Sequence, residues 1–168
     1  MPITRLNHAV LYVRDIEASV AFYGDVLGFR RLDLLPDGFH GAAFLQAEGS
    51  TNDHDLGLFQ IGTDAGASTA GRSTVGLYHL AWEVDTLTEL SRIRSALSAA
   101  GALTGASDHS TSKSLYGKDP DGIEFEVAWF VPTPHLDDDV LEGRKGISRL
   151  DLAAELERYG ARTVGGVG

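Results

Sequence analysis

Residues 3–13 alternate well enough between polar and apolar positions to predict a β-strand. Because side chains alternate across a strand, His8 falls on the same face as Leu6, Val10 and Tyr12. The residues between them belong to the opposite face. A histidine is therefore expected within the first strand, on the face that it shares with these apolar residues.

The apolar spacing then changes to that of a helix. Asp15 is a residue type that caps helix N-termini, and Gly28 is a residue type that ends them. The apolar positions between them recur at helical intervals: Ile16, Val20, Tyr23 and Leu27. Three further alternating stretches predict strands at about 29–35, 41–48 and 54–61. The first half of the chain is thus predicted to have the order βαβββ.

The same order recurs in the second half, after a segment rich in Gly, Ala, Ser and Thr at about 63–75 that is typical of a linker. A strand is predicted at 76–84. A helix follows with Asp85 or Thr86 as its N-cap and Gly101 after its end. The last three strands are predicted at 103–110, 112–117 and 123–131, and a Pro–Asp–Gly turn joins the final two.

A constant shift of 71 residues carries His8 onto His79 and Asp55 onto Glu126. The repeat predicts an α+β fold of two βαβββ modules, which form an open, cup-shaped, mixed eight-stranded sheet with the helices outside. We expect a single domain over 1–131, with modules at about 3–62 and 76–131. Residues 132–168 are expected to form a C-terminal tail with a short helix.

The alternation in the last strand indicates where its carboxylates point. One face is apolar and suited to packing against helices: Ile123, Phe125, Val127, Trp129 and Val131. Glu126 lies on the other face, which would line the cup, and the same reasoning directs His79 there. The repeat directs His8 to the same place. Two imidazoles and one carboxylate are the ligand set of non-heme Fe(II) oxygenases, although Mn(II) or Zn(II) also accept such ligands.

The amino-acid composition of the chain limits the kinds of molecule that it is expected to bind. The 168-residue chain has a net charge of -10, which argues against nucleic acid, because phosphate binding requires a basic surface. No apolar run is long enough to span a bilayer, and no secretory signal is evident, so we expect a cytoplasmic protein. The chain contains no cysteine, so a metal must be held by histidine, carboxylate or backbone oxygen.

A longer motif precedes Glu126. It begins at His109, continues with an apolar residue before Tyr116, and passes through Asp119-Pro120 and a glycine to the glutamate. With this motif the chain resembles the vicinal-oxygen-chelate (glyoxalase/bleomycin resistance/dioxygenase) superfamily, and within it the one-domain type I extradiol catechol dioxygenases. The resemblance covers roughly residues 3–131.

The resemblance implies an Fe(II)-dependent enzyme of aromatic catabolism that opens the ring of a small aromatic diol and incorporates both atoms of O₂. On this interpretation the metal ligands are His8, His79 and Glu126. His54 would act as the acid–base residue, which takes a proton from the diol and returns it as the ring opens. The two remaining catalytic residues, His109 and Tyr116, would hydrogen-bond the substrate oxygens.

The position of Asp55 leaves the class of reaction open. The 71-residue shift places Asp55 opposite Glu126, whereas strict alternation would turn His54 away. If Asp55 were a fourth ligand, a glyoxalase-like lyase or an epimerase would be favoured. A non-enzymatic small-molecule-binding protein of the same fold is the other alternative. Exposed sheet edges in this architecture lead us to expect a homodimer or a higher homo-oligomer.

Overall fold

The computed structural model describes residues 2–3, 5–36 and 38–166. The chain divides into two compact units, each described by itself below. The first unit comprises Met1–Ser68 together with Asp119–Gly122, and the second comprises Thr69–Lys118 together with Ile123–Gly168. The second unit therefore includes the C-terminal residues that the sequence placed in a separate tail.

The first unit contains one helix and a four-stranded sheet. Its elements are β1 (Ala9–Val13), α1 (Ile16–Leu27), β2 (Arg30–Leu32), β3 (Ala42–Gln46) and β4 (Leu56–Gln60). The strand order is β1-β4-β3-β2, with β1 and β4 parallel and the other pairs antiparallel. Helix α1 packs on β2, β3 and β4, so one face of the sheet is covered.

Both predicted ends of α1 are confirmed. The Asp15 side chain accepts a hydrogen bond from the Ala18 backbone N–H at 3.0 Å, which satisfies one of the otherwise unpaired donors of the first turn. Gly28 adopts a left-handed conformation with φ of 79°, and its N–H closes the helix on the Gly24 carbonyl. The buried face of α1 carries Tyr23, as the apolar spacing predicts.

The second unit repeats this plan and extends it. Its elements are β5 (Leu80–Glu83), α2 (Leu87–Ala99), β6 (Leu103–Asp108), β7 (Ser112–Lys118), β8 (Glu124–Phe130), a 3₁₀ turn (Thr133–His135), α3 (Asp138–Gly143), β9 (Ser148–Arg149) and α4 (Leu152–Tyr159). The strand order is β5-β8-β7-β6-β9, with β5 and β8 parallel. Thr86 caps α2, which decides between the two predicted caps.

The α+β class and the two βαβββ modules are confirmed, and the sheet differs from the predicted eight strands in one respect. The described residues form two sheets, of four and five strands. The additional strand is β9, which pairs with β6 through Ser107 and Asp108. The helices of the described residues are too short or too polar to cross a membrane.

The C-terminal residues pack closely against the rest of the second unit. Helix α4, predicted as a short helix, lies against α2. Beyond it, the Gly165 N–H donates to the Asp85 carbonyl at 2.8 Å, and the Trp129 indole donates to the Thr163 carbonyl at 3.3 Å. These contacts make the segment an integral layer of this unit.

Candidate functional site

In the second unit, His79 and Glu126 lie side by side. His79 immediately precedes β5, and Glu126 lies in β8, the parallel neighbour that pairs Ala81 with Glu126. His79 Nε2 is 3.1 Å from Glu126 Oε2, and the side chains are 25% and 15% exposed. The alternation of β8 is as predicted, because Phe125 and Val127 are buried on the opposite face. Strand pairing alone therefore brings two of the three predicted metal ligands together.

These two side chains fit a divalent metal. Two donor atoms that each bind a metal at about 2.0–2.2 Å lie roughly 3 Å apart, which is the spacing of Nε2 and Oε2 here. The other ring nitrogen of His79, Nδ1, is buried and has no hydrogen-bond partner among the described residues.

His109 and Tyr116, the two residues expected to hydrogen-bond the substrate oxygens, lie next to each other. His109 Nε2 and Tyr116 Oη are 2.8 Å apart, and Tyr116 pairs directly with Glu126 across β7 and β8. The centroids of the Tyr116 and His79 rings are 6.2 Å apart. Burial, and next the negative charge of Glu126, raise the pKa of Tyr116 above its ordinary value. Tyr116 therefore stays a neutral phenol at physiological pH and can donate a hydrogen bond.

The first unit brings His8 and His54 together. Their ring centroids are 4.4 Å apart, and Phe44 packs against His54 at 4.8 Å. His8 Nδ1 lies 2.8 Å from Asn7 Oδ1, and His54 Nδ1 lies 3.0 Å from Asp53 Oδ2. An acceptor at Nδ1 places the ring proton there and leaves the Nε2 lone pair to face a metal or a proton donor.

Asn7 and Asp53 are the residues that the sequence interpretation missed. Each one directly precedes a predicted site histidine and supplies an oxygen to its Nδ1. The sequence does contain a signal for these contacts, because a residue with a side-chain oxygen immediately precedes both His8 and His54. Side-chain alternation hides that signal, since neighbouring residues in a strand normally point to opposite faces. Both pairs instead lie just before a strand begins.

The Asp55 side chain hydrogen-bonds to a neighbouring loop. Its carboxylate is buried and accepts hydrogen bonds from the Ala47 N–H at 2.9 Å, from Ser50 Oγ at 2.7 Å and from Asn52 Nδ2 at 2.7 Å. These bonds close the 47–52 loop between β3 and β4. Asp55 thus has a structural role, which leaves His54 as the residue beside His8.

The strand registers explain why the sequence placed Asp55 opposite Glu126. Ala9 and Leu80 occupy equivalent positions, and they pair with Leu56 and Phe125 respectively. Leu56 therefore corresponds to Phe125, and the residue after it, Gly57, corresponds to Glu126. The constant 71-residue shift holds for the first strand of each module but is wrong for the last. The first unit thus presents no carboxylate at the position equivalent to Glu126.

Replacing Asp55 with alanine is expected to destabilise the protein by about 2–4 kcal/mol, because three donors lose a charged acceptor. Iron affinity should stay within about threefold of the wild type, since this carboxylate faces the loop. Urea unfolding and anaerobic Fe(II) titration measure the two effects. Glu48→Ala, an exposed carboxylate of the same loop, is the matched control. A large loss of iron affinity with unchanged stability would instead identify Asp55 as a ligand.

The described residues include no group of three or more histidine, aspartate or glutamate side chains placed to hold a metal. His79 and Glu126 belong to the second unit, whereas His8 belongs to the first. The complete set of three ligands therefore stays a prediction.

Comparison with known proteins identifies the family of the chain. The sequence profile described as "Glyoxalase/Bleomycin resistance protein/Dioxygenase superfamily" matches residues 5–127. A catechol-2,3-dioxygenase of Bacillus subtilis (strain 168) is 31% identical over 124 residues, which are 74% of this chain. The match spans 41% of that relative's length, so the chain corresponds to less than half of it.

Solved structures share the fold. A glyoxylase/bleomycin resistance protein/dioxygenase domain from Frankia sp. EAN1pec has a TM-score of 0.62 at 23% identity, covering 76% of this chain and 92% of that one. A fosfomycin resistance protein, FosX, from Mesorhizobium loti has a TM-score of 0.53 at 20% identity, covering 76% and 92%. The profile match, which spans most of the chain, decides the family. The chain belongs to the glyoxalase/bleomycin resistance protein/dioxygenase superfamily.

Proposed function

We propose that this protein is an Fe(II)-dependent extradiol dioxygenase that opens the ring of a catechol-type substrate. The observation that carries the proposal is the adjacency of two pairs in one sheet. The His79–Glu126 pair can hold a metal, and the hydrogen-bonded His109–Tyr116 pair stands next to it on the neighbouring strand. The 31% identity to a catechol-2,3-dioxygenase supports the same chemistry.

In this proposal His8, His79 and Glu126 bind one iron ion. The His8 tautomer set by Asn7 leaves Nε2 able to bind a metal, as Nε2 of His79 is. Nitrogen and oxygen donors of this kind suit Fe(II), and also Mn(II) or Zn(II). When bound, Fe(II) supplies the redox chemistry that allows a diol and O₂ to react, whereas Zn(II) has no redox chemistry.

His54 is proposed to accept a proton from the diol and to return it during ring opening. Its Nδ1 hydrogen bond to Asp53 orients the ring and leaves the Nε2 lone pair able to take the proton and then to return it. The Phe44 ring against one side limits the freedom of the imidazole and keeps water from that side.

Tyr116 and His109 are proposed to hold the substrate oxygens. Tyr116 remains protonated because burial and Glu126 raise its pKa, so its hydroxyl can donate to a developing oxyanion. With that hydroxyl donating to the substrate, the His109 Nε2–H donates to the Tyr116 oxygen and fixes its orientation. The pair would stabilise negative charge on an oxygen as the aromatic ring opens.

The four-ligand alternatives, a glyoxalase-like lyase or an epimerase, are less well supported. They would need a second carboxylate from the first unit. Asp55 is committed to the 47–52 loop, and Gly57 occupies the position equivalent to Glu126. A non-enzymatic binding protein would not require the His109–Tyr116 hydrogen bond beside a metal-binding pair.

The test is to load the protein anaerobically with Fe(II), add a panel of catechols, and then admit air. We expect O₂ uptake matched mole for mole by catechol loss, with a yellow ring-opened product. The Zn(II)-loaded protein is the control and should consume no O₂. If no catechol in the panel supports O₂ uptake by fully iron-loaded protein, the proposed reaction is wrong.

A further inference from the structure

The turn that carries His109 is held by the C-terminal segment, residues 133–166. This turn joins β6 to β7. On one side, β9 adds a strand to the edge of β6 and pairs Arg149 with Ser107 and Ser148 with Asp108. The C-terminal segment therefore supports the strand that leads directly into His109.

A buried lysine links the same turn to α4. Lys113 in β7 is 1% exposed, and its Nζ lies 2.6 Å from Asp108 Oδ1 and 3.0 Å from Glu155 Oε2. The ammonium also stands over the Tyr159 ring, 5.7 Å from its centroid. Both Glu155 and Tyr159 belong to α4, so this helix supplies two of the groups that surround the charge. A buried charge requires such partners, and they fix its position.

The network continues from Asp108 into the turn itself. Asp108 Oδ1 accepts a hydrogen bond from the Ser110 N–H at 2.7 Å. Ser110 has φ of 67°, a left-handed conformation that is unfavourable for a residue with a side chain. Its Oγ donates to the Val140 carbonyl of α3 at 2.9 Å. A Cβ on Gly143 of α3 would come within 2.6 Å of the same Oγ, which shows how closely α3 approaches the turn.

His109 stands between the two ends of this network. It follows Asp108 and precedes Ser110, and its N–H donates to the Ser112 carbonyl at 2.9 Å. Its Nε2 reaches Tyr116 Oη at 2.8 Å. The backbone that sets the direction of this imidazole is thus fixed from α3, α4 and β9.

We propose that Lys113 and Glu155 are positioning residues, through which the C-terminal segment holds His109 in hydrogen-bonding contact with Tyr116. The inference rests on the proposed function for its catalytic consequence, because His109 acts there on the substrate oxygens. Without the ammonium, the Asp108 and Glu155 carboxylates lose their shared partner. Asp108 can then no longer hold the strained Ser110 conformation, and His109 moves away from Tyr116.

The test is Lys113→Met, which keeps most of the side-chain volume and removes the charge. In the iron-loaded protein it should lower kcat for ring cleavage about tenfold or more with little change in KM, because a small misplacement of a catalytic group is costly. In a His109→Ala background the same change should lower kcat less than about twofold, because residues that act as a unit are non-additive. Equal losses in both backgrounds, or no loss in either, would overturn the proposal. Lys118→Met, an exposed lysine of the same strand, is the control.

A second readout does not depend on turnover. The imidazole NMR signals of His109, assigned with His109→Ala in the Zn(II)-loaded protein, should shift in folded Lys113→Met and stay unchanged in Lys118→Met. Unchanged His109 signals in folded Lys113→Met would overturn the proposal. If Lys113→Met does not fold, Ser110→Ala, which removes the bond to Val140, carries the same readouts. If the wild type cleaves no catechol, the proposed function fails, and the NMR result alone decides this inference.

Discussion

Glu126→Gln is expected to abolish ring cleavage, with a fall of about 1,000-fold or more, and to weaken Fe(II) binding by at least about 100-fold. Removing a residue that merely orients a metal ligand already costs roughly 10–100-fold in affinity, so loss of a charged ligand should cost more. Glutamine keeps the size of the side chain, and β8 should remain folded. Metal content after dialysis and the rate with excess Fe(II) measure the two effects.

The matched control is Glu124→Gln. Glu124 lies on the same strand and the same face, but it is 39% exposed and pairs with Lys118 at 3.3 Å. The Glu124 carboxylate therefore forms a solvated ion pair, and we do not expect it to bind the metal. We expect near wild-type iron affinity and activity in this variant. Wild-type iron affinity in Glu126→Gln would contradict the assignment of Glu126 as a ligand.

His54→Ala is expected to lower kcat by about 10²–10⁴-fold while iron affinity changes little. The imidazole that accepts and returns the proton is lost, but no metal ligand is removed. Steady-state rates and an Fe(II) titration are the measurements.

His40→Ala is the control for this variant, because His40 is exposed and has no part in the proposed site. It should retain full activity and wild-type iron affinity. Loss of iron from His54→Ala would make His54 a ligand and contradict its acid–base role. A kcat of His54→Ala within about twofold of the wild type would also contradict the acid–base role.

Much of each unit could be predicted because its determinants are local. The Asp15 cap, the Gly28 stop and the buried face around Tyr23 are all encoded within a few residues of the helix they define. The strands were placed correctly, and all but β7 begin later or end earlier than the apolar pattern suggests. β1 begins at Ala9, for example, because backbone pairing with β4 starts there with Leu56.

The C-terminal residues could not be predicted in the same way. β9 has only two residues, Ser148 and Arg149, and no alternation that marks a strand. Its formation depends on the unpaired edge of β6, which lies far away in sequence. Lys113 likewise gives no sign of burial in the sequence, since lysine is buried only where distant carboxylates meet it.

The candidate site could likewise be predicted from the sequence only in part. Alternation within β8, together with the repeat, was enough to direct His79 and Glu126 to the same site. The pairing of Tyr116 with Glu126 depends on the register of β7 on β8, which alternation does not set. The relation between Asp55 and Glu126 was wrong, because a constant sequence shift cannot detect a difference in loop length between modules. An even difference preserves which face a residue occupies, so alternation could not reveal the error.

The measurement that tests the central claim most directly is anomalous diffraction at the iron edge from crystals grown anaerobically with Fe(II). The account predicts one strong peak per chain. It should lie about 2.0–2.2 Å from a ring nitrogen of His8, a ring nitrogen of His79 and a carboxylate oxygen of Glu126. Iron bound away from His79 and Glu126, or bound to them with Asp55 in place of His8, would contradict it.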